Sequence, residues 1–328
     1  MMDLGNMVRG VASDALAQSL LQFWEYDEGT LELWRASSNF VYAFNCNQVQ
    51  YFLRLSFEQD NSIEQIKAEL AFMQYLQSNG FPTVTPIQSN NKKLIETLKT
   101  PDGTYIAVVF NAANGINLDE DTITEKQMEA WGKSLASLHC LSKKYEPVSD
   151  RRKSWLDTVQ FMESVFKKHP GEELALQELR EITNWLQSLS TAKDVFGLIH
   201  YDFQLDNLFF EEDKDPYFSV IDFDDAMYHW YALDLVTALD DFIVDDNPQS
   251  KLLVHSFLKG YRTKMALEND VVAQFPQFQR YANLYKYARL LKSLDYGEIN
   301  DTPPWFNNLK VKLVHVADKL RNTINYTK

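Results

Sequence analysis

The most informative segments of the sequence are Leu198–Phe210, which reads LIHYDFQLDNLFF, and Phe218–Asp225, which reads FSVIDFDD. In each, an apolar strand leads directly into carboxylate and amide side chains, the place where a scaffold usually presents functional groups. Phosphoryl transfer needs one carboxylate to orient or deprotonate the attacking hydroxyl, and separate oxygen ligands to hold Mg²⁺ against nucleotide phosphates. Asp202, Asn207 and Asp222 match these requirements.

The segment upstream of residue 112 has the pattern of an antiparallel β meander interrupted by one helix. Ser62 and Gln65 form a capping-box pattern, and apolar residues follow at helical spacing until Gly80. A leading amphipathic helix is predicted around Leu16–Trp24. The predicted strands are Leu31–Arg35, Val41–Phe44, Gln50–Leu55, Leu94–Leu98 and Tyr105–Phe110, the last two joined by the turn Thr100-Pro101-Asp102-Gly103.

Downstream of residue 112 the pattern becomes mostly helical. Thr124 and Gln127 cap one helix, and further helical patterns occupy about 155–168, 172–189 and 233–321. A polar-rich β segment at about 196–222 interrupts them. The sequence therefore predicts an α+β fold with a small antiparallel β lobe and a larger, mainly helical lobe, and a cleft between lobes is a natural ligand site.

The pattern His200-x-Asp202-x-x-x-x-Asn207, followed by an apolar strand ending in Asp222, resembles the motifs of the aminoglycoside phosphotransferase and choline kinase group. The resemblance covers about Ser37 to Leu239 and implies a protein-kinase-like two-lobed fold with ATP and Mg²⁺ as cofactors. It makes Asp202 the catalytic base and Asn207 and Asp222 the metal ligands. Residues 1–111 become the nucleotide-binding lobe, and residues 112–328 the lobe with the catalytic loop and substrate site.

Three further residues near these motifs are expected to support the site. Asp234, in an Asp-Leu pair like the later one of the family, is expected to hold the catalytic loop. His200 is expected to anchor that loop by hydrogen bonds rather than to transfer a proton. Asp224 follows the metal ligand Asp222 and is assigned the same supporting role.

The N-terminal lobe contains a candidate phosphate-binding ion pair. Kinases hold the α- and β-phosphates with a strand-borne cation that pairs with a Glu on the next helix, and Arg54 and Glu69 are the fitting residues. The resembled motif more often has Lys at this strand position, although Arg can bind phosphate bidentately. The alternatives are an outward-facing strand charge for Arg54 and a solvated helix residue for Glu69.

The remaining nucleotide contacts are expected in two loops. Ser37–Tyr42, with Ser38 and Asn39, stands where kinases have a glycine-rich loop, and its amides and hydroxyls can cradle phosphate oxygens, although a plain hairpin turn fits the same residues. The crossover Val108–Asn111, including Phe110 and Asn111, is the expected hinge where backbone groups meet adenine.

The spacing after Asp222 favours a small-molecule acceptor. About a dozen residues separate it from the helical pattern at Asp234, and no Ala-Pro-Glu motif follows, so a protein-kinase activation segment has no room. The acceptor is expected between the catalytic loop and the C-terminal helices. Aromatic and acidic residues there suit a cationic amino alcohol or aminoglycoside, a sugar or a hydroxy amino acid being other options. The aromatic candidates are Tyr228, Trp230, Tyr231, Tyr285, Tyr296 and Trp305, and the acidic candidates are Asp240, Asp241, Asp245 and Asp246. Packed core aromatics and a solvated acidic run are the alternative.

Two other functional classes compete with the kinase hypothesis. Asp222-Phe223-Asp224 is also a D-x-D that could hold a metal and a nucleotide sugar in a glycosyltransferase, but the upstream half lacks the strand-helix alternation of such a domain. A non-catalytic nucleotide-binding or interaction protein on the kinase fold is the other alternative. Retention of the base and both metal-ligand positions argues against it.

Composition narrows the choice of partner and compartment. The chain has 328 residues and a formal net charge of −14, so it lacks the basic field that binding to nucleic acid or an anionic membrane needs. No apolar stretch approaches the roughly 18–20 residues of a membrane helix. The two cysteines, Cys46 and Cys140, are too few for a disulfide framework, so a cytoplasmic setting is expected.

Overall fold

The structure, a computed structural model, describes residues 2–101, 103–147, 152–212, 218–243, 247–297, 299 and 302–326. Asp102 of the predicted hairpin turn, and Asp245 and Asp246 of the acidic run, lie outside the described residues.

The N-terminal part is built on an antiparallel sheet with the strand order β1-β2-β3-β6-β4, and β5 also pairs with β6. The predicted meander with one inserted helix is confirmed. Its elements are α1 (Leu4–Val11), α2 (Ala15–Leu21), β1 (Glu32–Ala36), β2 (Phe40–Cys46), β3 (Val49–Phe57), α3 (Ile63–Ser78), β4 (Pro86–Ile87), β5 (Glu96–Thr100) and β6 (Gly103–Asn111).

The C-terminal part is mainly helical, as the sequence predicted. Two small antiparallel sheets, β7 with β10 and β8 with β9, carry the polar loops of the motifs Leu198–Phe210 and Phe218–Asp225. Its elements are α4 (Glu125–Ser142), α5 (Trp155–Lys168), α6 (Glu173–Ser188), β7 (Phe196–Ile199), β8 (Leu208–Phe210), β9 (Phe218–Val220), β10 (Met227–Trp230), α7 (Tyr231–Ala238), α8 (Asp240–Ile243), α9 (Pro248–Arg262), α10 (Asn269–Val272), α11 (Phe275–Leu294) and α12 (Pro304–Tyr326). Among the described helices, none is both long and apolar enough to cross a bilayer.

The two faces of the N-terminal sheet pack against different parts of the chain. One face buries Tyr42 and Leu53 in a core shared with α1, α2 and Phe306 at the start of α12. The other face packs with α3, and α3 in turn belongs to a continuous core with the C-terminal helices. The period-2 alternation of the strands produces both faces, and α3 is thereby held between the sheet and the larger part.

Helices α4 and α9 cross so closely that each has a glycine at the contact. A Cβ added to Gly132 would lie 2.0 Å from the Phe257 carbonyl oxygen, and one added to Gly260 would lie 1.9 Å from the Glu129 carbonyl oxygen. No real side chain tolerates such a contact with backbone, so only glycine permits this crossing. The crossing matters for the site because α4 carries His139, which contacts Asp234, the residue expected to hold the catalytic loop.

We expect Gly260→Ala to lower the free energy of unfolding by about 2 kcal/mol, because overpacking a rigid backbone contact outweighs the better helix propensity of alanine. Urea denaturation followed by circular dichroism measures the change. Gly297→Ala is the control, since a Cβ at this exposed position meets nothing within 4 Å. A Gly260→Ala variant as stable as the Gly297→Ala variant would contradict the proposed role of the glycine crossing.

Candidate active site

The loop after β7 is fixed by one buried carboxylate. Asp234 of α7 accepts hydrogen bonds from the backbone N–H of His200 (2.9 Å) and of Tyr201 (2.7 Å). Tyr201 has φ 72°, in the left-handed region that a non-glycine residue adopts only when its surroundings hold it there. The structure thus places Asp234 at the loop that the sequence predicted it to support.

Two buried histidines complete this anchor. His139 on α4 forms a hydrogen bond through each ring nitrogen. Its Nε2 lies 2.9 Å from Asp234 Oδ2, and its Nδ1 lies 2.8 Å from the Tyr261 hydroxyl oxygen. His200 Nε2 donates to the Ile221 carbonyl at 3.0 Å. Burial lowers the pKa of His200, against the field of Asp234, so the ring is neutral near pH 7. His200 therefore joins the catalytic loop to the strand end that leads to Asp222.

Asp202 and Asn207 lie in direct contact. Asn207 Nδ2 donates to the carboxylate Oδ2 of Asp202 at 2.9 Å and to the Asp202 carbonyl at 3.0 Å. Burial, and after it the Asp225 and Asp206 carboxylates, raise the pKa of Asp202 to about 6, while Arg289 opposes the rise. Such a carboxylate is ionised near neutral pH but is a stronger base than an ordinary Asp, which suits proton abstraction.

The other end of the Asn207 side chain is its amide oxygen, Oδ1. Its Oδ1 is buried and has no hydrogen-bond partner among the described residues. The Ile221 N–H donates to the Asn207 carbonyl at 3.1 Å, which brings the next residue, Asp222, beside Asn207. Asp222 has φ 64°, and burial followed by the Asp224 carboxylate raises its pKa well above the usual range.

These oxygens fit a divalent metal ion. A buried amide oxygen without a donor and a carboxylate that burial destabilises in its charged form are both relieved by a hard cation. The described residues contain no group of three His, Cys, Asp or Glu side chains suited to holding a metal by themselves. Mg²⁺ commonly takes one or two protein oxygens and completes its shell with water and nucleotide phosphates, so the donor set fits that ion.

Arg54 and Glu69 form a buried bidentate pair, with Nη1 to Oε1 at 2.7 Å and Nη2 to Oε2 at 2.8 Å. Arg54 is 6% exposed and Glu69 is 2% exposed, so neither is a solvated surface charge. Burial opposes the charge of Arg54, but Glu69, Asp224 and Asp222 raise its pKa. The guanidinium also lies 5.2 Å above the ring of Phe110, and its Nε has no partner among the described residues.

The turn between β1 and β2 contacts the loop that follows Asp222. Asn39 Nδ2 donates to Asp224 Oδ2 at 2.7 Å, and the Ser56 hydroxyl donates to Asn39 Oδ1 at 2.6 Å. The neighbouring Ser38 hydroxyl accepts from Arg289 Nη2 at 3.3 Å. The structure thus brings Ser38 and Asn39 to the site, and it assigns Asp224 a protein partner.

Phe110 and Asn111, the expected hinge residues, are already engaged. The Asn111 N–H donates to the Thr85 carbonyl, its Oδ1 accepts from the Thr85 N–H, and its Nδ2 donates to the Ala112 carbonyl. Phe110 pairs with Phe52 and Pro86 within the sheet and packs beneath Arg54. Their adenine contact stays a prediction, and these bonds show that both residues also shape the crossover itself.

Sequence reasoning missed the cations around Asp225. Arg289 on α11 binds Asp225 Oδ2 at 2.7 Å, and Lys153 lies 3.4 Å from Oδ1. Burial alone would raise the Asp225 pKa, but these two cations hold it well below its usual range. The only sequence signal was a cation four residues after Tyr285 on the same helix, and the guanidinium does lie 5.5 Å above that ring.

A cavity of about 210 Å³ adjoins this cluster. Asp224 and Asp225 form one wall, α5 contributes Thr158 and Phe161, and α11 contributes Tyr285. Tyr285 also packs edge-on against Tyr201, with ring centroids 5.3 Å apart, so the cavity lies next to the residue that precedes Asp202.

Four of the substrate candidates, Tyr228, Trp230, Asp240 and Asp241, fall into two places. Trp230 is a core residue that packs against Trp155 and donates to the Ser190 carbonyl, and Tyr228 pairs with Leu198 between the two small strands. Asp240 accepts from Gln279 Nε2 at 2.8 Å and lies 3.5 Å from Lys286 Nζ, both on α11. Burial and then Asp240 raise the pKa of Asp241, with a further contribution from Asp206 of the catalytic loop. Of these four residues, Asp241 therefore lies within electrostatic reach of the loop that carries Asp202.

Comparison with known proteins gives one family. The sequence profile of the phosphotransferase enzyme family matches residues 30–267. The chain is 24% identical over 279 residues to amicoumacin kinase of Bacillus subtilis (strain 168), covering 81% of each protein.

Solved structures share the fold at lower identity. The amicoumacin kinase hAmiN, in complex with AMP-PNP, Ca²⁺ and Ami, superposes with a TM-score of 0.76 at 21% identity, covering 94% of this chain and 93% of that one. A microcompartment-associated aminopropanol kinase gives 0.70 at 21% identity, covering 95% and 98%. The spectinomycin phosphotransferase APH(9)-Ia, in complex with ADP and spectinomycin, gives 0.59 at 15% identity, covering 93% and 97%. The chain therefore belongs to the phosphotransferase enzyme family and is a small-molecule kinase with the protein-kinase-like, two-lobed fold that its sequence predicted.

Proposed function

We propose that this chain transfers the γ-phosphate of ATP, with Mg²⁺, to a hydroxyl group of a small cationic acceptor. The observation that carries the proposal is the Asn207 side chain, whose amide nitrogen holds the Asp202 carboxylate while its buried oxygen has no partner among the described residues. One side chain thereby joins a base with a raised pKa to a metal-ligand position. This arrangement is what a hydroxyl-to-phosphate transfer requires.

We propose two lobes with the boundaries 1–111 and 112–328. Each lobe contributes described residues to the reaction. Asp202 would orient and deprotonate the acceptor hydroxyl, and Asn207 Nδ2 keeps its carboxylate in place. Arg54, fixed by Glu69, would bind nucleotide phosphates, and its free Nε leaves a donor for them. Mg²⁺ bound to Asn207 and Asp222 would neutralise the phosphate charge.

The relatives support the use of a nucleotide, a divalent ion and a small-molecule acceptor. The solved hAmiN complex contains AMP-PNP and Ca²⁺, a nucleotide and a divalent ion together. Amicoumacin, aminopropanol and spectinomycin are named for these relatives, and aminopropanol is an amino alcohol. We infer that the present chain uses ATP with a divalent ion in the same way.

The acidic surface beside the catalytic loop supports a cationic acceptor. The field of Asp241 is the main cause that raises the pKa of Glu120, and Asp119 and Asp121 add to it. Asp206 in turn raises the pKa of both Asp202 and Asp241. Carboxylates that disfavour one another's charge attract a cation, so an ammonium group here would be stabilised while its hydroxyl reaches Asp202.

Asp202→Asn should reduce kcat by about 10²–10⁴-fold, because the amide cannot accept the hydroxyl proton. Affinity for the ATP–Mg²⁺ complex, measured by calorimetry, should stay within about threefold of wild type, since a threefold change is under 1 kcal/mol. Asp270→Asn, which removes the same charge from an exposed position on α10, is the matched control and should be as active as wild type. Full activity in Asp202→Asn would exclude Asp202 as the base.

The dependence of kcat/KM on pH should show an inflection near the Asp202 pKa of about 6. The base must be ionised, so activity is full above this pKa and declines about tenfold per pH unit below it. The measurement is kcat/KM between about pH 5 and 8. A profile that stays flat down to pH 5 would mean that no group with this raised pKa takes part.

Asp241→Asn should raise the KM for a cationic amino alcohol about 5- to 10-fold at low ionic strength, with kcat nearly unchanged, because the lost charge contributes to binding and not to chemistry. The KM for ATP should be unaffected, and Asp270→Asn should alter neither constant. An equal effect of Asp241→Asn on a neutral hydroxylated acceptor would show that the carboxylate does not recognise charge.

A further inference from the structure

Arg152 lies buried between α3 and the loop that follows Asp222. It is 5% exposed, and its guanidinium donates from Nε to the Ala226 carbonyl at 2.9 Å and from Nη1 to the Gln65 carbonyl at 2.8 Å. Its Nη2 donates to the carbonyls of Phe223, at 3.5 Å, and Asp224. One side chain thus binds four backbone carbonyls in two segments that are far apart in the sequence.

Both segments adjoin residues that we propose bind the nucleotide phosphates or the metal ion. Gln65 lies in the first turn of α3, one turn before Glu69, which holds Arg54. Phe223, Asp224 and Ala226 directly follow Asp222. A rigid guanidinium fork with five N–H donors fixes the distance between its acceptors, which a flexible ammonium group does not do. The contact therefore sets the position of the metal-ligand carboxylate relative to the phosphate-binding ion pair.

The charge environment of Arg152 comes from the same site. Its acceptors are carbonyls, and burial lowers its pKa, while the carboxylates of Glu69, Asp224 and Asp225 oppose this effect. The positive charge is therefore supported through space by the groups whose backbones it positions. Removing the Arg152 side chain would strengthen the electrostatic repulsion among those carboxylates. It would also leave the four carbonyls without their hydrogen-bond donor.

The backbone around Arg152 has other supports. The Lys153 N–H donates to Gln65 Oε1 at 3.2 Å, and the Lys153 carbonyl accepts from the Tyr228 N–H at 2.9 Å. Ser154 forms a bridge with Tyr228. Truncating the Arg152 side chain should therefore free the loop after Asp222 without displacing the segment that carries residue 152.

We propose that Arg152 is a positioning residue of the phosphotransferase reaction, which fixes the loop bearing Asp222 against the helix bearing Glu69 and so sets the affinity for the complex of nucleotide and divalent metal. This inference rests on the proposed function, because it assigns Asp222 and Arg54 to metal and phosphate binding.

The test compares Arg152→Met and Arg152→Lys with Arg280→Met. Arg280 on α11 makes a bidentate contact with the buried Glu178, at 2.6 and 2.9 Å, so its loss should also destabilise the fold but at a distance from the metal loop. Arg152→Met should raise the Mg²⁺ concentration that half-saturates ATP binding by about tenfold, a loss of about 1.4 kcal/mol. Arg152→Lys should fall between it and wild type, and Arg280→Met should match wild type.

Hydrogen exchange without metal or nucleotide provides a second readout. Peptides covering residues 222–228 should exchange about tenfold faster in Arg152→Met, because the loop opens locally more often. Arg280→Met should leave these peptides unchanged even when its melting temperature falls equally. If Arg152→Met fails to fold, the same two measurements on Arg152→Lys decide.

The outcomes separate the inference from the function on which it rests. Wild-type Mg²⁺ dependence and exchange in the folded Arg152 variants, with metal-dependent ATP binding intact in wild type, would overturn the role of Arg152 alone. A wild-type chain that binds ATP without any dependence on a divalent ion would instead overturn the proposed metal site, and the inference with it.

Discussion

The buried carboxylate of Asp234 is the interaction on which the catalytic loop depends. It is fully buried, and a carboxylate in such a place is costly unless hydrogen bonds compensate for lost water. His139 and the N–H groups of His200 and Tyr201 provide these bonds. Because two of the donors are consecutive backbone amides, satisfying the carboxylate forces Tyr201 into its left-handed conformation and turns Asp202 toward Asn207. Substituting Asp234 would therefore release the loop even though its own carboxylate is fully buried.

A second set of polar contacts joins the lobes around Asp224, beside the proposed metal site. Ser56 binds Asn39, Asn39 binds Asp224, and Arg152 binds the backbone on either side of Asp224 and that of Gln65 on α3. Apolar packing between α3 and the larger core brings these groups together, but it is not directional. Hydrogen bonds to fixed carbonyls supply the geometry that chemistry needs, since a displacement of about 1 Å can cost about 10²-fold in rate.

Local patterns in the sequence were sufficient for the fold and for part of the site. The Thr124 and Gln127 capping box forms as predicted, and the two opening motifs place Asp202, Asn207 and Asp222 next to one another. Arg152 and Arg289 were not predictable, because each acts through partners more than sixty residues away, at distances set only by tertiary packing. Tyr228 and Trp230 show the opposite problem, since aromatic residues near a catalytic motif are more often part of the core that positions it.

The excess negative charge of the chain is concentrated in one segment, which the overall composition does not show. Residues 202–246 contain 14 of its 46 acidic residues and only one of its 32 basic residues. Several of those carboxylates are satisfied within the protein, as Asp225 is by Arg289 and Lys153, Asp234 by its three donors, and Asp240 by Gln279 and Lys286.

The carboxylates whose charged form is disfavoured are those facing the proposed reactants. The pKa is raised for Asp202, for Asp222 and for Asp241, in each case first by burial and then by neighbouring carboxylates. A fold gains nothing from such an arrangement by itself, because partial burial and neighbouring like charges both disfavour the ionised form. Cations that arrive with the substrates would remove this penalty. The same free energy would then favour binding of a divalent metal ion at Asp222 and of a cationic acceptor near Asp241.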